Sequence, residues 1–312
     1  MLDALLRNTK LLGGVDVARH EGIEIRPLDC PVVRAEQGRI SYADFYPTEG
    51  LKVRYSSDPR IRVENMVRID YVLDMGALPE SVGLTRKFNY AVASHVIEHV
   101  PDMIGFLIGV TQMLRPGGLI CLAIPDKRYT SDYFRNTDVL ADVVDAHIRK
   151  LRQPSIRQVF DHFANAAEVP VLSAWNGTLH KEHLRRAHSL PEAMKMARLA
   201  EAADQSVDCR CHVFTPESFF EVLRGCFELG LLWAEVARFW ATEPNEQEFF
   251  VILRKLNDEL DKDARMRIRL DSIPPLEVIA HRKDKGWETR DNWSQTAAEK
   301  SEHPPLHRES KN

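Results

Sequence analysis

The sequence predicts an α/β protein built on a mostly parallel, doubly wound sheet that closes with an antiparallel hairpin strand. Three observations carry that prediction. Residues Phe88 to Thr130, which read FNYAVASHVIEHVPDMIGFLIGVTQMLRPGGLICLAIPDKRYT, spell strand, turn, helix, turn, strand. Upstream of them, short apolar runs alternate with turns, and downstream an amphipathic helix leads into two apolar runs parted by a turn-rich stretch. Strands alternating with helices call for a parallel sheet, and two adjacent strands joined by a short turn call for a hairpin.

The elements follow in order. Residues 1–19 read as a leading helix with weak periodicity, ahead of strands at Gly22 to Ile25 and Arg39 to Asp44. A third strand lies within Asn65 to Val72, followed by the polar turn Asp74-Met75-Gly76. Phe88 to Ser94 is the kind of apolar run that a parallel strand buried on both faces needs. In the next helix Met103, Phe106, Leu107, Val110 and Leu114 recur at the spacing that sets one apolar stripe against a sheet, and Pro116-Gly117-Gly118 stops it. A fifth strand, Leu119 to Ile124, ends in Pro125-Asp126-Lys127-Arg128. Polar groups at the carboxyl ends of parallel strands lie where open α/β sheets hold their ligands.

After Tyr129 the character changes. From about residue 131 to 207 the chain is polar and helical, with no evident sheet element, and it carries His147, His162, His180, His183 and His188. This insert is expected to form a lid that excludes water and imposes specificity on the ligand site. Thr215 then reads as an N-cap and Pro216 as a first helical residue, opening a helix with Phe219, Leu223 and Phe227 on one side. Leu231 to Trp240 and Glu248 to Arg254 form the closing hairpin. Three regions result: a helix at 1–19, an α/β domain at 20–255, and a charged helix with a tail at 256–312. From Lys283 the tail lacks apolar periodicity and reads as disordered.

Composition excludes several classes. The 42 basic and 46 acidic residues give a formal net charge of -4, so a basic footprint for nucleic acid is missing. No apolar stretch approaches a membrane span. The amino end, MLDALLRNTKLLGG, has Asp3 and no sustained apolar core before Gly13, so a cytoplasmic location is expected. The five cysteines are odd in number and scattered, and read as reduced thiols. Cys209-Arg210-Cys211-His212 lacks a second pair at a structural-zinc spacing and reads as a turn entering the next helix. His95-Val96-Ile97-Glu98-His99 matches an HxxEH metallopeptidase pattern, but a packing and capping role at a helix start suits it better. No metal site is expected.

ASHVIEHVPD at 93 to 102 and LRPGGLICLAIPDKR at 114 to 128, with FTPESFFEVLRGCFELGLL and NEQEFFVILRK near the end, resemble the motifs of class I S-adenosylmethionine-dependent methyltransferases of the type 11-like group. More narrowly, IEIRPLDCPVV, PDKRYT and FDHFANAAEV resemble a subgroup associated with surface-polysaccharide biosynthesis. The resemblance implies a Rossmann-like, seven-stranded, mostly parallel sheet with an antiparallel C-terminal hairpin strand and a helical insert. It also implies S-adenosyl-L-methionine as cofactor and methyl transfer, at oxygen, to a small-molecule or carbohydrate-like acceptor, with partners in a biosynthetic complex. Asp44, an acid about twenty residues after the first turn, is expected at the ribose hydroxyls. Glu24, Arg26 and Pro27 would form the first turn, Asp74 and Met75 would face the adenine, and Ser94 and His95 would lie beside the sulfonium.

Methyl transfer from a sulfonium is a direct displacement, so alignment dominates and a base is needed only where the acceptor must lose a proton. His95, Asp126 and His212 are the candidates for that base. Lys127, Arg128 and Arg135 are candidates to hold an anionic acceptor. One departure stands out. The family's first turn is glycine-rich, whereas this chain has Glu24-Ile25-Arg26-Pro27-Leu28. Glycine serves there because backbone must approach the ligand and adopt conformations that side chains resist. Either the Arg26 side chain turns away or pairs with the cofactor carboxylate, or cofactor affinity is lost and the chain is a non-catalytic, methyltransferase-like scaffold.

Overall fold

In the computed structural model, residues 2–202, 207–257, 259–280 and 288–289 are described. Strands β1 (Glu21–Ile25), β2 (Arg39–Asp44), β3 (Tyr71–Val72), β4 (Phe88–Ser94), β5 (Leu114–Pro125), β6 (Ala234–Trp240), β7 (Glu248–Lys255) and the two-residue β8 (Glu288–Thr289) form one sheet. Their order is β3-β2-β1-β4-β5-β7-β6-β8. The first five pair in parallel, β7 runs antiparallel to β5, and β6 pairs antiparallel with β7. This is the Rossmann-like α/β arrangement of seven main strands that the sequence predicts, with β8 added at the edge. Because β1 lies between β2 and β4, the connections leaving its two neighbours diverge, which opens a crevice at the carboxyl ends of the strands.

The strands are apolar on both faces because both faces are covered. On one side Ala91 and Ala93 of β4, Ile120, Leu122 and Ile124 of β5, and Phe249, Val251 and Leu253 of β7 face helices α4 (Met103–Met113), α5 (Leu140–Ile148) and α9 (Pro216–Glu228). On the other, Tyr90, Val92, Cys121, Phe250 and Ile252 pack with Leu11 of helix α1 (Leu2–Leu11) and with Val32 and Val33. A register shift between Phe88 and Tyr90 lets Phe88 join the same side as Ala91. Gly22 is required by packing: a Cβ there would lie 2.1 Å from the Tyr90 ring. Caps match the sequence reading at α9, where Thr215 Oγ1 accepts from the Ser218 N–H at 3.3 Å and Pro216 opens the helix.

Two expectations need adjustment. The leading helix ends at Leu11, not residue 19, because Gly13 and Gly14 turn the chain; it lies on β5 and β7 rather than apart from them, with Lys10 paired to Glu243 and Glu246. The insert is not all lid. Helix α5 buries Val143 and Ala146 against α4 and α9, so it belongs to the sheet-covering layer. What remains of the expected lid is α6 (Ile156–Asn165), α7 (Val171–Trp175) and α8 (Leu190–Glu201), where α6 and α8 pack together around Val159. Its contacts with the body include Trp175, which stacks on Tyr129 at 4.0 Å and donates to the Glu246 carbonyl, and Asp161, which pairs with Arg135. The charged region beyond 256 contains α10 (Lys262–Asp271) and α11 (Leu276–Ala280). Apart from β8, the tail expected to be disordered lies outside the described residues.

Since Tyr90 fills the space a Cβ would need, Gly22→Ala should cost roughly 1 to 3 kcal/mol of stability through overpacking. Urea unfolding of both proteins measures it, and an unchanged midpoint would show that the ring moves aside freely.

Candidate active site

The carboxyl ends of β1, β2 and β3 and the loop after β4 enclose a cleft of about 370 Å³, within the range of small-molecule sites. Arg26, Asp44, Asp74, Met75, His99 and Asp208 are among its walls. Asp44 ends β2. Its Oδ1 accepts the Phe45 N–H at 2.6 Å, while its Oδ2 is buried with no hydrogen-bond partner among the described residues. Burial lifts the Asp44 carboxyl above the ordinary carboxylate range, and nearby Arg26 works against that shift. A buried acceptor left open toward a cleft is the feature a ligand's hydroxyl groups can satisfy.

Below the cleft, Glu24 is buried and receives two backbone donors, Val32 N–H at 2.7 Å and Val33 N–H at 3.1 Å. These bonds close the loop from residue 26 to 33 back onto β1. Arg26 and Leu28 consequently take positive φ, 55° and 46°, the left-handed region that favours glycine. The loop thus adopts a glycine-type backbone at Arg26 without a glycine. The Arg26 guanidinium reaches Tyr55 Oη at 3.3 Å and Asp208 Oδ2 at 3.5 Å, and Asp208 Oδ1 also meets His99 Nδ1 at 3.1 Å. Burial would raise Asp208, but His99 and Arg26 hold its carboxyl well below the ordinary range. Asp74 stands at the rim, where its Oδ1 accepts the Gly76 N–H and faces Arg152 at 3.4 Å. Pro27 turns the loop through its carbonyl, which accepts from Cys30 N–H, and does not line the cleft.

A second polar assembly sits at the end of β4. His95, at φ 54°, directs Nε2 to Glu248 Oε2 at 2.7 Å and Nδ1 to Glu98 Oε1 at 3.3 Å. Arg7 of α1 grips Glu248 through two nitrogens and donates to Ser94 Oγ at 2.7 Å. Burial opposes the charge on His95, but the two carboxylates raise its imidazole to about 9; with 38% of the side chain exposed, water screens both pairs. Glu248 is brought down to about 2, where the His95 and Arg7 bonds overcome burial. Ser94 and His95 do not line the cleft of Asp44. His95 therefore differs from the expected base: at neutral pH it is an imidazolium with both nitrogens facing carboxylates.

The remaining predicted residues gather at the end of β5. Asp126 is buried and bound by Thr242 Oγ1 at 2.8 Å and by the Arg128 guanidinium, so it organises a turn instead of presenting a free carboxylate. Arg128 is thereby neutralised. Arg135 is 1% exposed between Asp132 at 2.9 Å and Asp161 at 2.7 Å, and Lys127 donates to the Tyr133 carbonyl. Arg128 and Arg135 are thus taken up by carboxylates and not left over for an anionic acceptor as the sequence led one to expect, whereas Lys127 meets only a neutral carbonyl. His212 is 1% exposed, its Nδ1 is 2.5 Å from Asp138 Oδ2, and its Nε2 has no partner among the described residues.

His212 and Asp208 belong to the strap at 207–214 that returns from the lid. It bridges to Asp126 through Phe214, and its Cys211 and His212 N–H groups donate to the Glu98 carbonyl. Cys209 and Cys211 are buried beside Val159 and Val207, while Asp208, Arg210 and His212 make the polar contacts, a strand-like alternation that the turn reading of DCRCH missed. Arg7, Tyr55 and Glu248 also escaped sequence reasoning, since nothing local to them signals a site.

Comparison with known proteins bears on this geometry. Residues 22–167 match the model of a methyltransferase domain. The match covers just under half of the chain and includes β1 through β5. No protein among those with curated functions matches. Similar solved structures include the CurJ carbon methyltransferase (11% identity over 79% of this chain and 51% of that one, TM-score 0.38). Others are an S-adenosylmethionine-dependent methyltransferase from Mesorhizobium loti (13%, 80% and 96%, 0.41) and a chain from Rhodobacter sphaeroides described as a Zn-dependent alcohol dehydrogenase (13%, 80% and 88%, 0.44). This chain spans about half the length of the CurJ protein. At these scores the fold rests on the strand order itself. Among the described residues no three His, Cys, Asp or Glu side chains converge to hold a metal, and no helix is long and apolar enough to cross a membrane.

Two titrations test the electrostatics. Burial raises Glu24 to about 7, so the folded protein holds this proton more tightly than the unfolded chain. The associated stability is present below the ordinary 4.5 and is lost as pH rises through about 7, a change on the order of 3 kcal/mol. Glu24→Gln should flatten that decline when unfolding is compared at pH 5 and pH 7.5; parallel declines would refute it. The His95 imidazole should titrate near 9 by NMR and fall by roughly 1 to 3 pH units in Glu248→Gln, as loss of an adjacent carboxylate requires.

Proposed function

We propose that this chain is an S-adenosylmethionine-dependent methyltransferase that passes a methyl group directly to a small-molecule or carbohydrate-like acceptor, at oxygen. The observation that carries the reading is Asp44: a buried carboxylate ending β2, at the crevice between diverging strands, with one oxygen unpartnered. That is the acceptor a ribose diol needs in dinucleotide-type folds. The cleft's volume suits a nucleoside, and the left-handed backbone at Arg26 supplies the turn that a glycine loop would give. The methyltransferase-domain match over β1 to β5 supports the same conclusion. The missing glycine was the ground for the scaffold reading; the positive φ of Arg26, a backbone conformation that glycine usually supplies, supports the cofactor-binding reading over it.

When bound, the cofactor supplies a sulfonium-activated methyl group. The chain's own residues would then bind and align: Asp44 accepts from the ribose hydroxyls, Met75 and Asp74 flank the base at the rim, and the strap at 207–214 closes the cleft from above. An acceptor hydroxyl must lose its proton as the bond forms. Of the three predicted bases, His212 alone keeps a free ring nitrogen, with Asp138 fixing the tautomer that leaves Nε2 able to accept. His212 does not line the cleft of Asp44, however, and that nitrogen is buried, which leaves it out of reach of an acceptor held in the cleft. The carboxylate-paired Arg128 and Arg135 favour an uncharged, hydroxylated acceptor over an anionic one, and IEIRPLDCPVV, PDKRYT and FDHFANAAEV support a place in surface-polysaccharide biosynthesis, in company with other enzymes of that assembly.

Calorimetric titration with adenosylhomocysteine tests the reading. Binding to the wild-type chain is expected, and Asp44→Ala should weaken it by roughly 1.5 to 3 kcal/mol, the worth of a hydrogen bond to a charged group. A folded wild-type protein that takes up no ligand at millimolar concentration would sink it.

A further inference from the structure

We propose that the chain carries a second binding site, at the end of the sheet opposite the Asp44 cleft, which takes a small molecule through a phosphate or diphosphate group. The proposal stands apart from the methyltransferase reading. Its starting point is a cavity of about 300 Å³ at the amino ends of β1, β4 and β5, on the face of the sheet that α1 covers. His20 precedes β1, Asn89 lies on β4, Arg115 opens β5, and Arg238 and Arg254 reach in from β6 and β7. Gly13, Gly14, Gly117 and Gly118 leave much of the wall without side chains; a Cβ at Gly14 would stand 3.4 Å from the Arg238 guanidinium carbon. Among the described residues, no acidic side chain lines the cavity.

The backbone sets the polar groups of this wall as donors. His20 Nδ1 accepts the Asp16 N–H at 3.2 Å, so the hydrogen of the neutral ring sits on Nε2. Asn89 Oδ1 accepts the Glu21 N–H at 3.0 Å, which fixes the amide and leaves its Nδ2 hydrogens without an acceptor among the described residues. Arg115 is exposed and its guanidinium has no partner among the described residues. Arg254 is held by Glu235 at 3.1 Å, and Glu235 is buried and does not line the cavity. The donors left over are therefore those of Arg115, His20 and Asn89, set on three different elements. A cation would be repelled by the arginines, and a neutral ligand would leave the charge of Arg115 unanswered. A phosphate group answers it, because its oxygens accept strongly and point in several directions at once.

The test is calorimetric titration of the full chain with inorganic pyrophosphate at about 0.15 M sodium chloride, where exposed charges are largely screened. Saturable binding in the millimolar range or tighter is expected. Arg115→Gln and Asn89→Asp should each weaken it roughly 10- to 100-fold, as loss of a hydrogen bond to a charged group requires. The aspartate keeps the oxygen that accepts from Glu21 and exchanges the amide donor for a carboxylate. Arg224→Gln removes an exposed charge of α9 that does not line the cavity, and should leave affinity within about twofold. Thermal unfolding checks that each variant is folded; because Arg115 is exposed, its variant decides the matter whatever Asn89→Asp does to stability. No saturable uptake by the folded wild type, undiminished affinity in Arg115→Gln, or an equal loss in Arg224→Gln would overturn the proposal. Uridine diphosphate and glucose 1-phosphate then distinguish the carriers: a gain in affinity over pyrophosphate with the first assigns the site to a nucleotide, and with the second to a phosphosugar, both upholding it.

Discussion

One buried carboxylate shapes the loop on which the cleft depends. Glu24, one residue before the end of β1, has both oxygens accepting backbone donors from Val32 and Val33, and so folds the intervening residues back over the strand. Two side-chain-bearing residues, Arg26 and Leu28, are held in the left-handed region as a result. That conformation costs an L-residue roughly 1 to 2 kcal/mol and persists only where the surroundings over-determine it. A glycine there would relieve the strain but remove a guanidinium from the cleft. The chain therefore trades backbone ease for a charge at the crevice between β1 and β4, and Asp208 and Tyr55 are placed to meet that charge.

Strand β4 was legible in the sequence because burial on both faces leaves a dense apolar run, while β2, with Ser41 inside it and only its second half buried, was legible from its alternation with turns. The position of Asp44 was legible as an acid closing β2, and the structure places it in the wall of the cleft. Thr215 and Pro216 announced α9 through local capping chemistry that needs no tertiary partner. The role of α5 was not legible, since its polar residues resemble those of the lid, and only contact with α4 and α9 distinguishes the two. Arg7 and Glu248, 241 residues apart, carry no local signal of their pairing. The roles of Arg128 and Arg135 were misjudged because a basic residue near a strand end looks the same in sequence whether a ligand or a buried aspartate neutralises it.

Those neutralised charges constrain the chemistry. At the end of β4 the Arg7, Glu248, His95 and Glu98 groups form a chain in which every cation faces a carboxylate, and at the end of β5 Asp126, Arg128, Asp132 and Arg135 do the same. Groups locked in this way are poor proton carriers, because moving a proton from any of them breaks a partly buried pair and leaves its partner unpaired. They are good at holding loops in fixed relation. A displacement reaction gains most from that rigidity, since donor and acceptor must be brought to near-attack geometry and the rest follows from the leaving group.

The strap at 207–214 joins these fixed assemblies. Its backbone donates to the Glu98 carbonyl and bridges to Asp126, so it is anchored to the loops of β4 and β5, while Asp208 extends to the loop of β1. The side-chain alternation in Asp208-Cys209-Arg210-Cys211-His212 sets thiols against the lid core and polar groups among the strand ends. The polar members contact three different loops: Asp208 meets Arg26 and His99, Arg210 meets Asp132, and His212 meets Asp138. One extended segment thereby fixes the relative positions of the loops after β1, β4 and β5.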